Sequence, residues 1–236
     1  MSEIETLPTP EAWADACAGR LTATLGEALA DAGSATFAGS GGSTPAPIYA
    51  RMARAELDWS RITTTLIDER YVPEDHPDSN AALLKRTLLI DRAAAARFLP
   101  LFHASVTVDR AAAVATRELA TAVDRLDAVL LGMGEDGHIC SMFPESPTLK
   151  TLLTPKLKPA ICGVPPGRDG LAPSRERLSM NLAWLMTARQ VVLAITGKQK
   201  RAVFERDAAG DPMVTPIAAL LAANVPLEVI WTEAAK

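Results

Sequence analysis

The chain changes from apolar to glycine-rich within the stretch Leu126-Asp127-Ala128-Val129-Leu130-Leu131-Gly132-Met133-Gly134-Glu135-Asp136-Gly137-His138. Residues 126–131 predict a buried strand, and the three glycines let the backbone turn sharply where that strand ends. The turn carries an imidazole, His138, and two carboxylates. Ligands of open α/β sheets bind outside the carboxyl ends of the strands, and histidine is suited to proton transfer near neutral pH. This stretch therefore predicts an active-site loop.

The composition limits the classes of protein that the chain can belong to. Of its 236 residues, 48% are hydrophobic and 22% are charged, and its net charge is −4 without a long basic stretch, which disfavours a nucleic-acid partner. The acidic start at Met1–Glu5 does not resemble a signal peptide, and no apolar run approaches the length of a membrane span. We therefore expect a cytoplasmic protein with no membrane contact.

Predicted strands alternate with predicted helices along the whole chain. The strands are expected at residues 35–38, 61–67, 98–101, 126–131, 177–182, 190–196 and 227–231. The helices are expected at residues 10–32, 46–57, 78–90, 109–124, 198–206 and 216–223. Several strands are apolar throughout, which is typical of a mostly parallel sheet covered by helices on both faces. The sequence therefore predicts an α/β fold with a Rossmann-like sheet and one domain spanning residues 1–236.

One interval departs from this alternation. Seven prolines fall between Pro144 and Pro173, which predicts mostly irregular surface structure. Long loops of this kind often cover a functional site.

A second glycine-rich turn, Gly39–Thr44, joins a predicted strand to a predicted helix. Its glycines Gly41 and Gly42, with the hydroxyls of Ser43 and Thr44, suit a phosphate, because backbone N–H groups and a helix N-terminus attract anions. We expect Thr44 to be the N-cap and Pro45 the first residue of the helix. The turn matches neither the nucleotide P-loop nor GxGxxG, and a turn that serves only packing is the alternative.

Charged residues follow or begin other strands. Asp68-Glu69-Arg70 ends the strand at residues 61–67, Lys200 follows the glycine turn at Gly197, and Arg177 begins a strand. A carboxylate and a guanidinium at a strand end could orient a base and stabilise an oxyanion or a phosphate. Solvated surface charges are the alternative for each of these residues. The segments Gly41–Thr44, Asp68–Arg70, Asp136–His138 and Gly197–Lys200 all lie at strand exits. We therefore expect these four segments to form one site.

The sequence gives less support to a metal site, a disulfide framework or a cysteine nucleophile. The three cysteines form no CxxC pair, and no second histidine lies at ligand spacing from His138, which disfavours a zinc site or a disulfide framework. Cys140 follows His138 by two residues, but nothing else in the sequence favours a thiol nucleophile. We therefore expect no metal and no cofactor.

Three segments together resemble the 6-phosphogluconolactonases of the glucosamine/galactosamine-6-phosphate isomerase superfamily. They are residues 40–45 (SGGSTP), residues 68–73 with Ser79-Asn80 (DERYVP and SN), and residues 132–138 through 141–144 (GMGEDGH and SMFP). A weaker segment pairs residues 177–180 with residues 196–200. Glucosamine-6-phosphate deaminases typically carry Asp-Glu-Tyr and Phe-Asn-Glu-Pro at two of these places. The chain differs from the lactonases at Ile139-Cys140, where they often have Thr-Ala.

The resemblance implies a fold like that of glucosamine-6-phosphate deaminase and ribose-5-phosphate isomerase. It also implies hydrolysis of 6-phospho-D-glucono-1,5-lactone to 6-phosphogluconate in the oxidative pentose phosphate pathway. The substrate, a phosphorylated sugar lactone, would be the partner of a monomer or weak homodimer.

The same resemblance suggests roles for the site residues. His138 would be the base that activates water, oriented by Asp136 or Asp68. Arg70 would stabilise the oxyanion or bind the phosphate. The phosphate would be held by Gly41, Gly42, Ser43, Thr44, Arg177 and Lys200. A deaminase of the same fold and a sugar-phosphate sensor without activity are the rival readings.

Overall fold

The strand that precedes the histidine loop is buried along its whole length. The computed structural model describes residues 3–42, 44–105, 107–168 and 170–233. All four residues of the strand Ala128–Leu131 are buried. Successive side chains of a strand point to opposite faces of its sheet, so both faces of this sheet are covered at this strand.

Ten strands and eight α-helices are present in the described residues. The strands are β1 (Ile4–Leu7), β2 (Ala35–Gly39), β3 (Ile62–Leu66), β4 (Asp68–Arg70), β5 (Arg97–Phe98), β6 (Ala128–Leu131), β7 (Ile161–Val164), β8 (Arg177–Met180), β9 (Gln190–Thr196) and β10 (Leu227–Thr232). The helices are α1 (Pro10–Ala32), α2 (Ala46–Met52), α3 (Asn80–Thr87), α4 (Val108–Ala122), α5 (Leu149–Leu153), α6 (Leu182–Leu185), α7 (Lys198–Asp207) and α8 (Pro216–Ala222). None of these helices has the length and apolar character needed to cross a bilayer.

The large sheet has seven strands in the described chain, in the order β1-β10-β9-β6-β2-β3-β5. Every pair in it is parallel. The mostly parallel sheet predicted from the sequence is therefore confirmed. Strands β9, β6 and β2 are neighbours in the middle of the sheet, and because they are parallel, their carboxyl ends meet at one edge.

A smaller sheet, which the sequence analysis did not predict, adjoins this edge. Strand β8 lies between β4 and β7 and pairs antiparallel with both. The residues Asp68, Glu69 and Arg70, expected as a loop at a strand exit, thus form a strand of their own. Its partner β8 is more than 100 positions away in the sequence, so no local pattern could reveal the pairing.

Helix α1 has the bounds predicted for it, because both ends carry clear signals. The Thr9 hydroxyl accepts a hydrogen bond from the Ala12 N–H at 3.1 Å, and Pro10 takes the first helical position. Gly33 adopts the left-handed conformation, with φ +74°, and its N–H donates to the Leu29 carbonyl. The helix packs on strands β2, β6, β9 and β10 and covers one face of the sheet centre.

Helix α2 starts at the predicted residue, but the prediction of its N-cap was wrong. Pro45 is the N-cap, with helical φ and ψ of −78° and −17°, and its carbonyl accepts the first helical hydrogen bonds. Thr44 therefore lies one residue before the cap, and the helix begins at Ala46. It also ends at Met52 rather than near residue 57, because the chain turns through Ala53–Ala55.

The prediction of mostly irregular structure between Pro144 and Pro173 was wrong in part. Helix α5 and strand β7 both lie in this interval. Strand β7 is only four residues long and contains Gly163, so its local pattern is weak. Pairing with β8 and packing against α4 stabilise it instead.

Candidate active site

Nearly all the predicted site residues line one pocket at the carboxyl edge of the large sheet. Its lining comes from the exits of β2, β6 and β9, the strands β4 and β8, and the start of α3. The lining residues are Ser40, Gly41, Gly42, Thr44, Ile67, Asp68, Arg70, Asn80, Gly132, Met133, Gly134, His138, Cys140, Arg177 and Lys200. Of the predicted residues, Asp136 lies behind His138, and Ser43 falls outside the described residues.

The histidine loop closes on itself immediately after β6. The Gly134 N–H donates to the His138 carbonyl at 2.9 Å, and the Gly137 N–H donates to the Gly134 carbonyl at 3.2 Å. Gly137 has φ +86°, which a residue with a side chain rarely adopts. A Cβ on Gly134 would collide with His138 Nδ1 and with the Asp136 carboxylate. Gly134 and Gly137 are therefore required by the tight path of this loop.

Asp136 contacts the imidazole that it was predicted to orient. His138 Nδ1 lies 2.5 Å from Asp136 Oδ1, and the same oxygen accepts from the His138 backbone N–H at 3.2 Å. This contact favours the tautomer with the proton on Nδ1 when the ring is neutral, and Nε2 remains for proton transfer. The Asp136–His138 pair thus has the geometry of a base and its orienting carboxylate.

The pKa of Asp136 lies below its ordinary value. Partial burial raises this pKa, but the hydrogen bond from His138, the positive charge of its imidazolium form and the backbone N–H of His138 together lower it further. The carboxylate is therefore ionised at neutral pH and can stabilise a positive charge on the ring.

Asp68 bonds to other partners. It is buried, and its Oδ2 accepts from the Ser141 hydroxyl at 2.6 Å and lies 4.0 Å from Arg177 Nη1. The Ser141 N–H in turn donates to Ser179 Oγ at 3.2 Å. Of the two carboxylates that the sequence left open as partners of His138, Asp136 is the one that bonds it in the described structure. Asp68 instead connects the histidine loop to the small sheet.

The ladder between β4 and β8 explains why charged residues gather on one side. Its register pairs Asp68 with Ser179 and Arg70 with Arg177. Residues i and i+2 of a strand point to the same face, so these four side chains share a face of the small sheet. Glu69 points the other way.

Glu69 serves the fold rather than the pocket. Its carboxylate accepts from the Asn80 and Ala81 N–H groups at 2.8 and 2.7 Å and from the Ser79 hydroxyl at 3.2 Å, so it bonds the first turn of α3. Burial raises the pKa of Glu69, and these backbone hydrogen bonds oppose that rise.

The two arginines are only partly paired in the described structure. Arg70 donates to the Asp78 carbonyl, and the Nε atoms of Arg70 and Arg177 are buried without a hydrogen-bond partner. Burial lowers the pKa of Arg177, the charge of Asp68 raises it, and the neighbouring charge of Arg70 lowers it. Two adjacent guanidinium groups with unused donors form a site that favours an anion.

Lys200 reaches the same pocket from the exit of β9. Gly197, with φ +81°, turns the chain from β9 into α7, which places Lys200 in the first turn of this helix. Gln199 Nε2 donates to Glu135 Oε2 at 3.3 Å and so links this turn to the histidine loop. The three central exits of the large sheet thus supply Lys200, His138 and the Gly41–Gly42 turn.

Asn80 is a pocket residue to which the sequence analysis assigned no role. It is 2% exposed, its Nδ2 donates to the Asp68 carbonyl at 2.9 Å, and its Oδ1 has no hydrogen-bond partner. A Cβ at Gly41 would collide with this amide, so position 41 is restricted to glycine. The Ser79-Asn80 pair at the start of α3 was the available signal.

Two further observations bear on the alternative chemistries. Burial, together with the charge of Asp68, raises the pKa of the Cys140 thiol well above its ordinary value, which disfavours a thiolate nucleophile. Among the described residues, no three His, Cys, Asp or Glu side chains are grouped so that they could hold a metal ion.

Comparisons with known proteins identify the family of the chain. A family model described as glucosamine-6-phosphate isomerases/6-phosphogluconolactonase matches residues 8–231. The 6-phosphogluconolactonase of Rhizobium meliloti is 40% identical over 232 residues, which cover 98% of this chain and 98% of that protein. The crystal structure of a 6-phosphogluconolactonase from Shewanella baltica has a TM-score of 0.90 at 32% identity, covering 98% of each chain.

A monomeric glucosamine-6-phosphate deaminase has a TM-score of 0.79 at 18% identity, covering 98% of this chain and 97% of that one, and this likeness shows the fold alone. The deaminase-like fold and the family expected from the sequence are both confirmed. The chain belongs to the glucosamine-6-phosphate isomerase/6-phosphogluconolactonase family.

Proposed function

We propose that this chain hydrolyses 6-phospho-D-glucono-1,5-lactone to 6-phosphogluconate, in the oxidative pentose phosphate pathway. The observation that carries the proposal is the Asp136–His138 pair in a pocket that also holds Arg70, Arg177 and Lys200. A base beside an anion site suits a substrate with both a reactive carbonyl and a phosphate. The similarity to named 6-phosphogluconolactonases supports the same reaction.

His138 is the proposed base. Its Nε2 takes a proton from water as the water oxygen attacks the lactone carbonyl, and a tetrahedral oxyanion forms. The oxyanion then collapses, the bond from the carbonyl carbon to the ring oxygen breaks, and the imidazolium returns its proton to that oxygen. Asp136, ionised at neutral pH, holds Nδ1 and stabilises the imidazolium between the two steps.

The cations of the pocket bind the phosphate and hold the carbonyl near His138. Arg177 and Lys200 are the proposed phosphate ligands, with the backbone of Gly41 and Gly42 and the hydroxyl of Thr44 beside them. Arg70 serves either the phosphate or the oxyanion. Because Asp78 already accepts from one of its nitrogens, Arg70 is held in place before substrate arrives.

The two possible roles of Arg70 can be separated with a lactone that lacks the phosphate. If Arg70 binds the phosphate, Arg70→Ala lowers kcat/KM for 6-phosphogluconolactone and leaves the slower reaction of gluconolactone unchanged. If Arg70 stabilises the oxyanion, both substrates lose rate by a similar factor.

The first experiment measures hydrolysis of freshly generated 6-phosphogluconolactone, coupled to 6-phosphogluconate dehydrogenase, above the spontaneous rate. We expect fast turnover by the wild type and a fall of about 10²- to 10⁴-fold in His138→Ala, because general-base assistance is lost. His103→Ala is the matched control, since His103 Nε2 lies 3.4 Å from the Glu118 carboxylate and His103 does not line the pocket.

Two outcomes would overturn the proposal. Ammonia release from glucosamine 6-phosphate without lactonase activity would indicate a deaminase of the same fold. Binding of sugar phosphates without lactone hydrolysis above background would indicate a sensor. Near-full activity of His138→Ala would remove His138 from its assigned role.

A further inference from the structure

The aromatic ring of Phe143 contacts the imidazole of His138. The two ring centroids are 4.2 Å apart and the ring planes differ by 34°. The Arg177 guanidinium carbon also lies over the Phe143 ring, 5.7 Å from its centroid. Phe143 is 3% exposed, so both contacts are shielded from bulk water. The reaction sequence above makes no use of this ring.

The position of Phe143 is fixed by the segment that carries it. Two residues earlier, Ser141 bonds Asp68 of β4 and Ser179 of β8. The Phe143 carbonyl accepts from the Ser146 N–H at 3.2 Å. The segment after β6 therefore carries both rings, and its hydrogen bonds to the small sheet hold the Phe143 ring in place.

An aromatic face has two physical effects on a neighbouring imidazole. Asp136 fixes the position of Nδ1 but leaves the plane of the ring free to tilt about this contact, and packing against Phe143 restricts that tilt. The electron-rich face of the ring also attracts a cation, so it stabilises the imidazolium more than the neutral imidazole. Both effects act on the base at the moment when it carries the transferred proton.

We propose that Phe143 is a positioning residue for His138, whose ring sets the imidazole plane and stabilises the imidazolium formed during turnover. This inference rests on the proposed function and adds a residue to it.

Other charged groups also act on the imidazole and must be held constant in a test. Asp136 lies on the same loop, Asp68 and Arg70 come from β4, Arg177 comes from β8, and Lys200 comes from α7. Arg177 and the imidazolium share the same ring as positive charges. A substitution of Phe143 keeps all these charged groups in the chain and removes the aromatic ring.

The test compares Phe143→Leu with the wild type in kcat, KM and their pH dependence. We expect kcat to fall about 2- to 30-fold, the range that a cation–π contact supports, with KM changed less than about twofold. Because the neutral imidazole is the base, rate is lost as pH falls. The part of the curve of kcat against pH where this loss occurs is its acid limb. Without the Phe143 ring the imidazolium is less favoured, so the acid limb should move to lower pH.

A readout in the absence of substrate keeps the test independent of catalysis. The chain has three histidines, so the His138 proton resonance can be assigned by comparison with His138→Ala and followed by NMR titration. We expect its midpoint to move to lower pH in Phe143→Leu. Phe37→Leu is the control, because Phe37 is equally buried in β2 and does not touch His138.

Incorporation of pentafluorophenylalanine at position 143 separates shape from charge. This side chain keeps the ring and its packing but reverses the sign of the face potential, so the acid limb should move as far as in Phe143→Leu, or farther. A kcat loss with the acid limb and the NMR midpoint both unchanged would reduce Phe143 to core packing and overturn the inference. An inactive wild type would instead overturn the proposed function.

Discussion

The two sheets of this molecule supply different parts of one pocket. The exits of the large parallel sheet lead into a loop that carries His138 and Asp136, and into helix α7, whose first turn carries Lys200. The small antiparallel sheet presents Asp68, Arg70 and Arg177 directly from paired strands. In the proposed function, the loop residues His138 and Asp136 perform the chemistry, and the ladder residues recognise charge. Lys200 and the Gly41–Gly42 turn are exceptions, because they lie at exits of the large sheet and have binding roles.

The difference follows from what each architecture can hold. A loop at a strand exit can place an imidazole and a carboxylate only two residues apart in contact, as the Asp136–His138 pair shows. A strand pair places side chains at fixed spacings on a rigid face, which suits two guanidinium groups aimed at one anion. We therefore expect substitutions of His138 and Asp136 to change kcat and substitution of Arg177 to change KM.

Replacement of the orienting carboxylate is the strongest test of this division. Asp136→Asn should lower kcat by about 10²- to 10⁴-fold with little change in KM, because the tautomer and the imidazolium lose their support. A kcat within a fewfold of wild type would mean that another group orients His138.

The same variant has a signed pH prediction. The pKa of Asp136 is lowered in the folded chain. The ionised carboxylate therefore stabilises the folded chain fully at pH values above the ordinary aspartate pKa, and this stabilisation is lost as pH falls through the lowered pKa. Removing the charge disfavours the imidazolium, so the acid limb of kcat should move to lower pH in Asp136→Asn. Movement to higher pH would contradict this electrostatic role.

Displacement of the loop without loss of any charged group should have the next largest effect. Gly134→Ala puts a methyl group against His138 and Asp136 and should lower kcat about 10²-fold, as small misplacements of a catalytic group do. Gly19→Ala is the control, because nothing lies within 4 Å of a Cβ at this exposed position of α1. Equal kcat values for the two variants would show that the loop tolerates the displacement.

The ladder side is tested by Arg177→Ala. We expect kcat/KM to fall about 10- to 150-fold, mainly through KM, because a charged hydrogen bond to the phosphate is lost. Arg175→Ala is the matched control: Arg175 is more exposed, pairs with Asp78 and does not line the pocket. If kcat fell and KM stayed constant, the division between loops and ladder would not hold.

Lys200→Ala should have the smallest effect. Its side chain is partly exposed, so we expect KM for the phosphorylated lactone to rise no more than about fivefold, with kcat unchanged. A higher salt concentration should reduce the difference in KM between Lys200→Ala and the wild type, because exposed charges are screened. An unchanged KM would mean that Lys200 is a surface residue beside the pocket.

The elements that the sequence predicted well are those whose signals are local. Helix α1 has a capping threonine, a proline and a terminal glycine, and β9 is a long apolar run, so both bounds agree with the structure. The grouping of His138 and Lys200 in one pocket was also predictable, because parallel strands place their exits at one edge, whereas Arg70 joins them from a strand of the small sheet. The prediction of a single domain for residues 1–236 stays a prediction.

The missed features depend on contacts between distant residues. No local pattern indicates that β4 pairs with β8, or that Ser141 rather than His138 bonds Asp68. The error at Thr44 has a different, local origin, because both residue types allow the backbone angles that decide whether Thr44 or Pro45 is the cap. In the sequence, Phe143 was noted only as part of a segment that resembles the family. Its contact with the His138 imidazole is visible only in the folded chain.

The side chains of Asp68, Glu69 and Arg70 point alternately to the two faces of the small sheet, and this alternation limits how the sequence can vary. Its outer residues face the pocket, and its middle residue bonds the start of α3. Insertion or deletion of one residue before β4 would exchange the two faces. The pocket would then receive one carboxylate in place of a carboxylate and a guanidinium, and α3 would lose the acceptor for its first N–H groups. Length between β3 and β4 is therefore as constrained as residue identity.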